Sequence, residues 1–105
     1  MEIKVKTKEE FLSHINSDRV VVDFFAKWCG PCRMLSPVLE EIASEDKELV
    51  VLKVDTDELQ DLAFEYKVSA IPALFYLKKG QVVGSSLGFL PKPQLKKMIE
   101  DKLGK

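Results

Sequence analysis

Apolar and charged residues alternate at the start of the chain and then change to a helical spacing. The alternation over Glu2–Lys6 predicts a short strand. Residues 7–10 form a capping box, in which Thr7 and Glu10 can satisfy free N–H groups at a helix start. The helix itself is predicted by three apolar residues at helical spacing, Phe11, Leu12 and Ile15.

Two nearly continuous apolar runs, Val20–Ala26 and Leu49–Val54, predict strands that are covered on both faces. A helical pattern follows each run, and Pro37 is expected to kink the first of these helices. The apolar stripe of that helix consists of Met34, Leu35, Val38, Leu39 and Ile42. The stripe of the second helix is shorter and consists of Leu59, Leu62, Ala63 and Tyr66.

The last third of the chain predicts a hairpin and a closing helix. Leu74–Leu77 and Gln81–Ser85 indicate two strands joined at Lys79-Gly80. The closing helix is entered through Pro91 and Pro93, and its apolar residues are Leu95, Met98, Ile99 and Leu103. The predicted order βαβαβαββα implies parallel strands joined by right-handed crossovers, with an antiparallel edge. We expect one domain over residues 1–105 with an α/β fold, a central mixed sheet of about five strands flanked by four helices.

The composition agrees with a single domain and argues against some partners. A chain of 105 residues that is 46% hydrophobic can bury a core without disulfide staples. Its 16 Lys and Arg against 17 Asp and Glu give a net charge of −1, which argues against nucleic acid or an anionic membrane as a main partner. The sequence has no secretory-signal pattern and no membrane-length apolar run, so we expect a cytoplasmic location.

The chain has two cysteines, in the motif Trp28-Cys29-Gly30-Pro31-Cys32 between the first buried strand and the long helix. A helix start stabilises negative charge, so Cys29 is expected to be an exposed thiol with a lowered pKa. Pro31 suits the first turn of a helix, because the N–H that it lacks has no partner there. Cys32 follows one turn later, within reach of Cys29.

This geometry predicts thiol–disulfide exchange. Cys29 attacks a substrate disulfide, and Cys32 then attacks Cys29, releasing the reduced substrate and leaving an intramolecular bridge. Two other interpretations of the pair remain open at this point. One is half of a zinc site, although zinc needs four ligands and the chain offers only His14 and carboxylates besides. The other is an inert buried pair.

The Trp28–Cys32 motif resembles the active-site signature of the thioredoxin family, and the resemblance extends along the whole chain. Further landmarks in the same order are Val22-Asp23-Phe24, Pro37, Lys53-Val54-Asp55, Ile71-Pro72, Gly80 and Gly88. The resemblance implies a thioredoxin fold and a cytosolic protein-disulfide reductase that acts as a monomer and electron carrier. It implies a redox-active Cys29–Cys32 disulfide and no bound cofactor or metal.

The resemblance also implies partners. Electrons would come from thioredoxin reductase, and NADPH would act only through that enzyme. They would pass to proteins such as ribonucleotide reductase, peroxiredoxins and methionine sulfoxide reductases. Gly30-Pro31 resembles the reducing members of the family. An oxidase or isomerase, and a binding module with incidental cysteines, are the rival functions.

Asp23 and Lys53 are candidate supporting residues, because each interrupts an apolar strand. Burial on either face would raise the pKa of Asp23 and make it a proton carrier, unless it lies solvated at a frayed strand edge. Lys53 alone is more typical of a lysine with a solvated head. The resemblance implies that Asp23 takes the proton from Cys32 and that Lys53 is its electrostatic partner, the two titrating as a coupled pair.

Four residues are candidates for substrate binding. Trp28 is expected at the rim of the site, although a core position is the alternative. Base rates favour a trans bond before Pro72, whereas the resemblance implies a cis Ile71-Pro72 bond that faces the cysteines and backbone groups that bind substrate as an added strand. It also implies that Gly88, otherwise a simple turn glycine, lets a partner chain approach closely.

The sequence departs from the family pattern at four positions. Phe25 replaces a second tryptophan, and Pro91 replaces a polar helix cap. Ala73 follows the expected cis proline in place of threonine, and Phe89 follows Gly88 where smaller residues are common. We expect Ala73 and Phe89 to make the substrate groove more apolar.

Overall fold

A computed structural model describes all residues from Met1 to Lys105, and its elements follow the predicted order βαβαβαββα. The strands are β1 (Glu2–Lys4), β2 (Val20–Phe25), β3 (Val50–Asp55), β4 (Ala73–Lys78) and β5 (Gln81–Leu87). The helices are α1 (Lys8–His14), α2 (Gly30–Glu45), α3 (Gln60–Glu65) and α4 (Lys92–Leu103). None of the helices is both long enough and apolar enough to cross a membrane.

The strands form one mixed sheet in the order β1-β3-β2-β4-β5. β3 pairs in parallel with β1 and β2, and β4 pairs antiparallel with β2 and β5. The predicted architecture is therefore confirmed. β2 lies at the centre of the sheet, which explains its continuous apolar sequence, and Asp23 lies opposite Lys53 of β3 and Leu74 of β4.

Two apolar cores cover the two faces of the sheet. Helices α2 and α4 pack on the first face, where the largest buried side chains are Leu35, Leu39, Leu49, Leu74, Tyr76 and Leu95. Helices α1 and α3 pack on the second face, where the largest are Phe11, Phe24, Leu52, Leu62 and Leu77. Odd-numbered residues of β2 and β3 contribute to the first face, because successive side chains of a strand alternate.

Some local predictions differ from the structure, and one is confirmed. The first strand ends at Lys4 instead of residue 6, because the Lys6 N–H turns to donate to Glu10 Oε1 at 2.7 Å. Thr7 caps α1 as predicted, with its Oγ accepting from the Glu10 N–H at 3.1 Å. Leu12 and Met34, predicted to lie on apolar stripes, are 47% and 60% exposed, because each lies at the edge of the buried stripe of its helix.

Candidate active site at the start of helix α2

Cys29 and Cys32 form a disulfide where β2 leads into α2. Cys29 is the N-cap residue of α2, and Pro31 lies in the first turn, as predicted. The Sγ atom of Cys29 accepts a hydrogen bond from the Cys32 N–H at 3.2 Å. The two Cα atoms are 5.2 Å apart, so the cysteines meet across a single helical turn. The helix start thus directs an N–H group at Cys29, where a thiolate would be stabilised.

The disulfide is more enclosed than the sequence predicts. Cys29 is 5% exposed, so the prediction of an exposed Cys29 is wrong for this disulfide-bonded state. Phe25, Ala26 and Ile71 pack around the two cysteines, and the Ile71 carbonyl oxygen lies 3.9 Å from the Cys29 Sγ. The segment before β4 therefore covers the disulfide.

That segment contains a cis peptide bond between Ile71 and Pro72, as the resemblance implies. The Pro72 carbonyl accepts a hydrogen bond from the Gly88 N–H at 2.8 Å, which ties the segment to the end of β5. Gly88 has a φ of +85°, a conformation that favours glycine, and a Cβ at this position would meet no atom within 4 Å. Open space thus lies beside Gly88.

Trp28 lies at the rim of the site and is 68% exposed, which excludes the alternative of a core position. Its indole Nε1–H donates to Asp57 Oδ2 at 2.9 Å. This hydrogen bond restrains an exposed aromatic side chain directly beside Cys29.

Asp23 is buried, with only 1% of its surface exposed, so the alternative of a solvated strand edge is wrong. Its Oδ1 accepts no hydrogen bond within the protein. Burial raises the pKa of Asp23 to about 7; the positive charge of Lys53 opposes this increase, and the negative charge of Glu2 adds to it. A carboxyl group that titrates near neutral pH can both release and accept a proton.

Lys53 is half-buried and binds a different residue from the one expected. Its Nζ donates to Ser36 Oγ of α2 at 2.7 Å and lies 5.1 Å from the centre of the Phe25 ring. It forms no ion pair with Asp23 within 4.0 Å, although the two are Cα partners across β2 and β3. Lys53 therefore acts on Asp23 through space and not through a direct contact.

Sequence reasoning missed Glu2 and Ser36. The alternation over the first residues suggests that the charged side chains face solvent, yet Glu2 Oε2 is buried and its pKa is raised by burial. The register between β1 and β3 was the missing information, since it places Glu2 on the same face as Lys53. Ser36 lies one helical turn after Cys32, a spacing that could have indicated its position.

One prediction about the substrate groove is wrong. Ala73 is only 1% exposed and packs in the second core, so it cannot line an exposed groove. Phe89 is partly buried against the first core. Leu87, which is 64% exposed and is the Cα partner of Ala73, is an exposed apolar residue beside this segment.

Outside the disulfide, the structure contains no group of three or more His, Cys, Asp or Glu side chains arranged to hold a metal ion. The cysteines are paired with each other, so the interpretation as half of a zinc site has no support in this state.

Comparison with known proteins gives one consistent family. The family model described as Thioredoxin matches residues 2–101. A thioredoxin of Chlamydia trachomatis is 45% identical over 97 residues, covering 92% of this chain and 95% of the relative. A thioredoxin of Bacillus subtilis is 42% identical over 104 residues, covering 98% of this chain and 100% of the relative. The solved structure of a mutant thioredoxin from Halobacterium salinarum superposes with a TM-score of 0.89 at 36% identity, covering 97% of this chain and 90% of that one.

Proposed function

Because this chain belongs to the thioredoxin family, we propose that Cys29 is the nucleophile and Cys32 the resolving thiol of its disulfide-exchange reaction. The family and the paired cysteines establish the activity, that of a thiol–disulfide oxidoreductase that reduces protein disulfides through a redox-active disulfide. Its substrates are accordingly disulfide-containing proteins.

One observation carries the assignment of roles, the hydrogen bond from the Cys32 N–H to the Cys29 Sγ at the N-cap of α2. In the reduced protein the same N–H and the helix dipole stabilise a Cys29 thiolate. That thiolate attacks one sulfur of the substrate disulfide, and the other sulfur leaves as a thiolate that takes a proton from water. The result is a mixed disulfide between Cys29 and the substrate.

The second step returns the pair to the bridged state described here. Cys32 loses its proton to the Asp23 carboxylate, and the Cys32 thiolate attacks Cys29. The remaining substrate sulfur leaves as a thiolate and is protonated, so the substrate gains two electrons and the Cys29–Cys32 bridge forms. Support for Asp23 as acceptor comes from its burial and from its pKa of about 7. Lys53 modulates this proton affinity.

Substrate binding is assigned to the rim around the disulfide. Backbone groups beside Ile71 and Pro72 bind an extended segment of the substrate as an added strand. The open space at Gly88 lets that segment approach, and Trp28 contacts it with its exposed ring. Gly30 and Pro31 shape the turn between the cysteines.

The physiological assignments follow from family resemblance. Thioredoxin reductase supplies the electrons, with NADPH acting only through that enzyme. Ribonucleotide reductase, peroxiredoxins and methionine sulfoxide reductases are the expected acceptors. We assign the protein to the cytoplasm as a monomer with one domain, without nucleic acid or membrane as a partner.

Reduction of insulin disulfides in the presence of dithiothreitol tests these roles. Cys29→Ser and Cys32→Ser should each abolish turnover. Cys32→Ser should accumulate a mixed disulfide with the substrate through Cys29, visible by mass spectrometry. If the mixed disulfide forms on Cys32 in the Cys29→Ser variant instead, the assignment of nucleophile and resolving thiol is reversed.

A further inference from the structure

Two carboxyl groups, that of buried Asp23 and that of half-buried Glu2, lie on either side of one lysine beneath α2. Glu2 of β1 and Asp23 of β2 flank strand β3, and Lys53 of β3 is the Cα partner of both Asp23 and Lys4. Residues two apart on a strand face the same way, so Glu2 lies on the same face as Lys4, Lys53 and Asp23. The sheet therefore places both carboxyl groups within the field of the Lys53 ammonium.

Neither carboxyl group holds the lysine. Glu2 Oε2 and Asp23 Oδ1 are buried and accept no hydrogen bond within the protein. The Lys53 Nζ donates to Ser36 Oγ at 2.7 Å and forms no ion pair within 4.0 Å of either carboxylate. The cation whose charge acts on both carboxyl groups is thus bound to a neutral hydroxyl group.

Other charged groups around Asp23 are few. Strand β4 places apolar Leu74 opposite Asp23. Asp55 of β3 accepts a hydrogen bond at its Oδ1 from the Asp57 N–H, at 2.8 Å. Lys4 of β1 and Glu40 of α2 are exposed. Glu40 raises the pKa of Glu2, and Lys53 and the amino group of Met1 lower it. The charges that change the pKa of Asp23 itself are those of Lys53 and Glu2.

We propose that Glu2 and Ser36 are positioning residues for the exchange reaction at Cys29 and Cys32, because Ser36 binds the Lys53 ammonium that would otherwise neutralise Asp23, and Glu2 places a second carboxyl group on the same face of the sheet. Ser36 lies in the same helix as Cys32, and a cleft of about 220 Å³ is lined by Cys32, Ser36 and Lys53 together. With Lys53 held at Ser36 and a negative charge on Glu2, Asp23 keeps its proton to higher pH. This inference rests on the proton transfer from Cys32 to Asp23 proposed above.

The first test follows the titration of Asp23 directly. Carboxyl-carbon NMR of the disulfide-bonded protein should show a lower Asp23 pKa in Glu2→Gln, which removes the repelling charge. It should also show a lower pKa in Ser36→Ala, which frees Lys53 to approach Asp23. Glu9→Gln is the matched control, since it removes the same charge from an exposed position on α1, at the other face of the sheet. Glu9→Gln should leave the Asp23 titration unchanged.

The second test follows the reaction. The lifetime of the mixed disulfide with a disulfide-bonded peptide is measured by acid quenching between pH 5.5 and 8. In Glu2→Gln and Ser36→Ala the mixed disulfide should decay roughly two- to threefold faster at pH 6, the change that follows when the pKa of the proton acceptor falls by about half a unit. At pH 8 the variants should nearly match the wild type, because Asp23 is then mostly ionised in all of them.

Three outcomes decide between the inferences. If the pKa of Asp23 in Glu2→Gln and in Ser36→Ala equals its pKa in Glu9→Gln, then Glu2 and Ser36 do not control the proton affinity of Asp23, and the proposal fails. A lowered Asp23 pKa with an unchanged decay profile overturns the assignment of Glu2 and Ser36 to the exchange reaction. If Asp23→Asn keeps the wild-type decay profile, Asp23 does not accept the proton of Cys32, and the proposed function fails at that step.

Discussion

Asp23 is an acid whose environment in the folded protein opposes its charge. Its pKa in the folded protein is about 7, raised mainly by burial, whereas an aspartate in an unfolded chain titrates near pH ~3.9. Between those two pH values the unfolded chain releases the Asp23 proton and the folded chain keeps it. The contribution of Asp23 to stability is therefore fully present below about pH 4, decreases as the pH rises, and is lost above about pH 7.

Asp23→Asn should therefore stabilise the protein at alkaline pH. Asparagine cannot ionise, so we expect the free energy of unfolding of the variant at pH 8 to exceed that of the wild type by roughly 2–4 kcal/mol. At pH 4 the two proteins should differ much less. Guanidinium unfolding of the disulfide-bonded proteins at both pH values measures this difference.

Asp55→Asn is the matched control for this prediction. Asp55 is 2% exposed, but its Oδ1 already accepts the Asp57 N–H. We expect no comparable increase in stability at pH 8 for this variant. Equal gains in both variants, or a gain in Asp23→Asn that does not depend on pH, would contradict the raised pKa of Asp23.

Individual residues could be predicted from sequence where the neighbours along the chain decide their environment. Asp23 has apolar neighbours on both sides, and burial follows on either face of a covered strand. Glu2 could not be predicted, because its burial depends on the pairing of β1 with β3 and not on its neighbours. The prediction of an exposed Cys29 rests on its place as a reactive thiol at a helix start, but the distant Ile71 covers the disulfide.

At the scale of elements, the start of α2 determines the reactivity of the site. The N-cap position gives Cys29 a hydrogen bond from the Cys32 N–H, while Cys32 lies inside the helix and is 4% exposed. The two thiols of the reduced protein should therefore differ, since one lies at the positive end of the helix and the other is within its first turn.

Alkylation of the reduced protein tests this difference. Cys29 in the Cys32→Ser variant should react with iodoacetamide with an inflection below pH ~8.5, the ordinary value for a free thiol. Cys32 in the Cys29→Ser variant should react more slowly at every pH between 6 and 8, because it lies within the first turn of α2 and not at the N-cap that stabilises a thiolate. Mass spectrometry of peptides measures both rates. Identical pH profiles for the two thiols would show that the helix start has no effect on Cys29.

The N-cap of α1 gives a prediction that concerns stability alone. Thr7→Ala removes the acceptor of the Glu10 N–H, so the free energy of unfolding should fall by about 1 kcal/mol. Ser13→Ala is the control, since the Ser13 hydroxyl only donates to a carbonyl within the same exposed helix. Urea unfolding should show a much smaller change for Ser13→Ala. The rate of insulin reduction should stay the same in both variants, because α1 does not contact the disulfide.

The types and order of the elements were predictable because hydrophobic spacing reports directly which faces are covered. The boundaries were less predictable. The first strand ends two residues early because the Lys6 N–H is bound by Glu10, a contact that competes with strand pairing. Ala73 was wrongly expected in a groove, because the faces of β4 are set by its register with β2.

At the scale of the whole molecule, the redox site and the long-range contacts of Arg19 lie at opposite ends of β2. Cys29 follows the carboxyl end of the strand, whereas Arg19 precedes its amino end. The Arg19 guanidinium binds both carboxylate oxygens of Asp46, at 2.8 and 2.7 Å, and the Gly104 carbonyl at 2.7 Å. These partners lie 27 and 85 residues away in sequence, so no local pattern could predict them.

Arg19→Met should therefore weaken the fold without changing the chemistry. The variant keeps most of the apolar stem but loses the contacts to Asp46 and Gly104, so the free energy of unfolding should fall by roughly 2–3 kcal/mol. Lys97→Met is the matched control: its ion pair with Asp101 is exposed, and the loss should stay below about 0.5 kcal/mol. Because the six residues of β2 separate Arg19 from the disulfide by roughly 20 Å, insulin reduction at 25 °C should remain within about twofold of the wild-type rate. A folded Arg19→Met protein that had lost its activity would show instead that the two ends of β2 are coupled, and that the helix start at Cys29 depends on the contacts of Arg19 with Asp46 and Gly104.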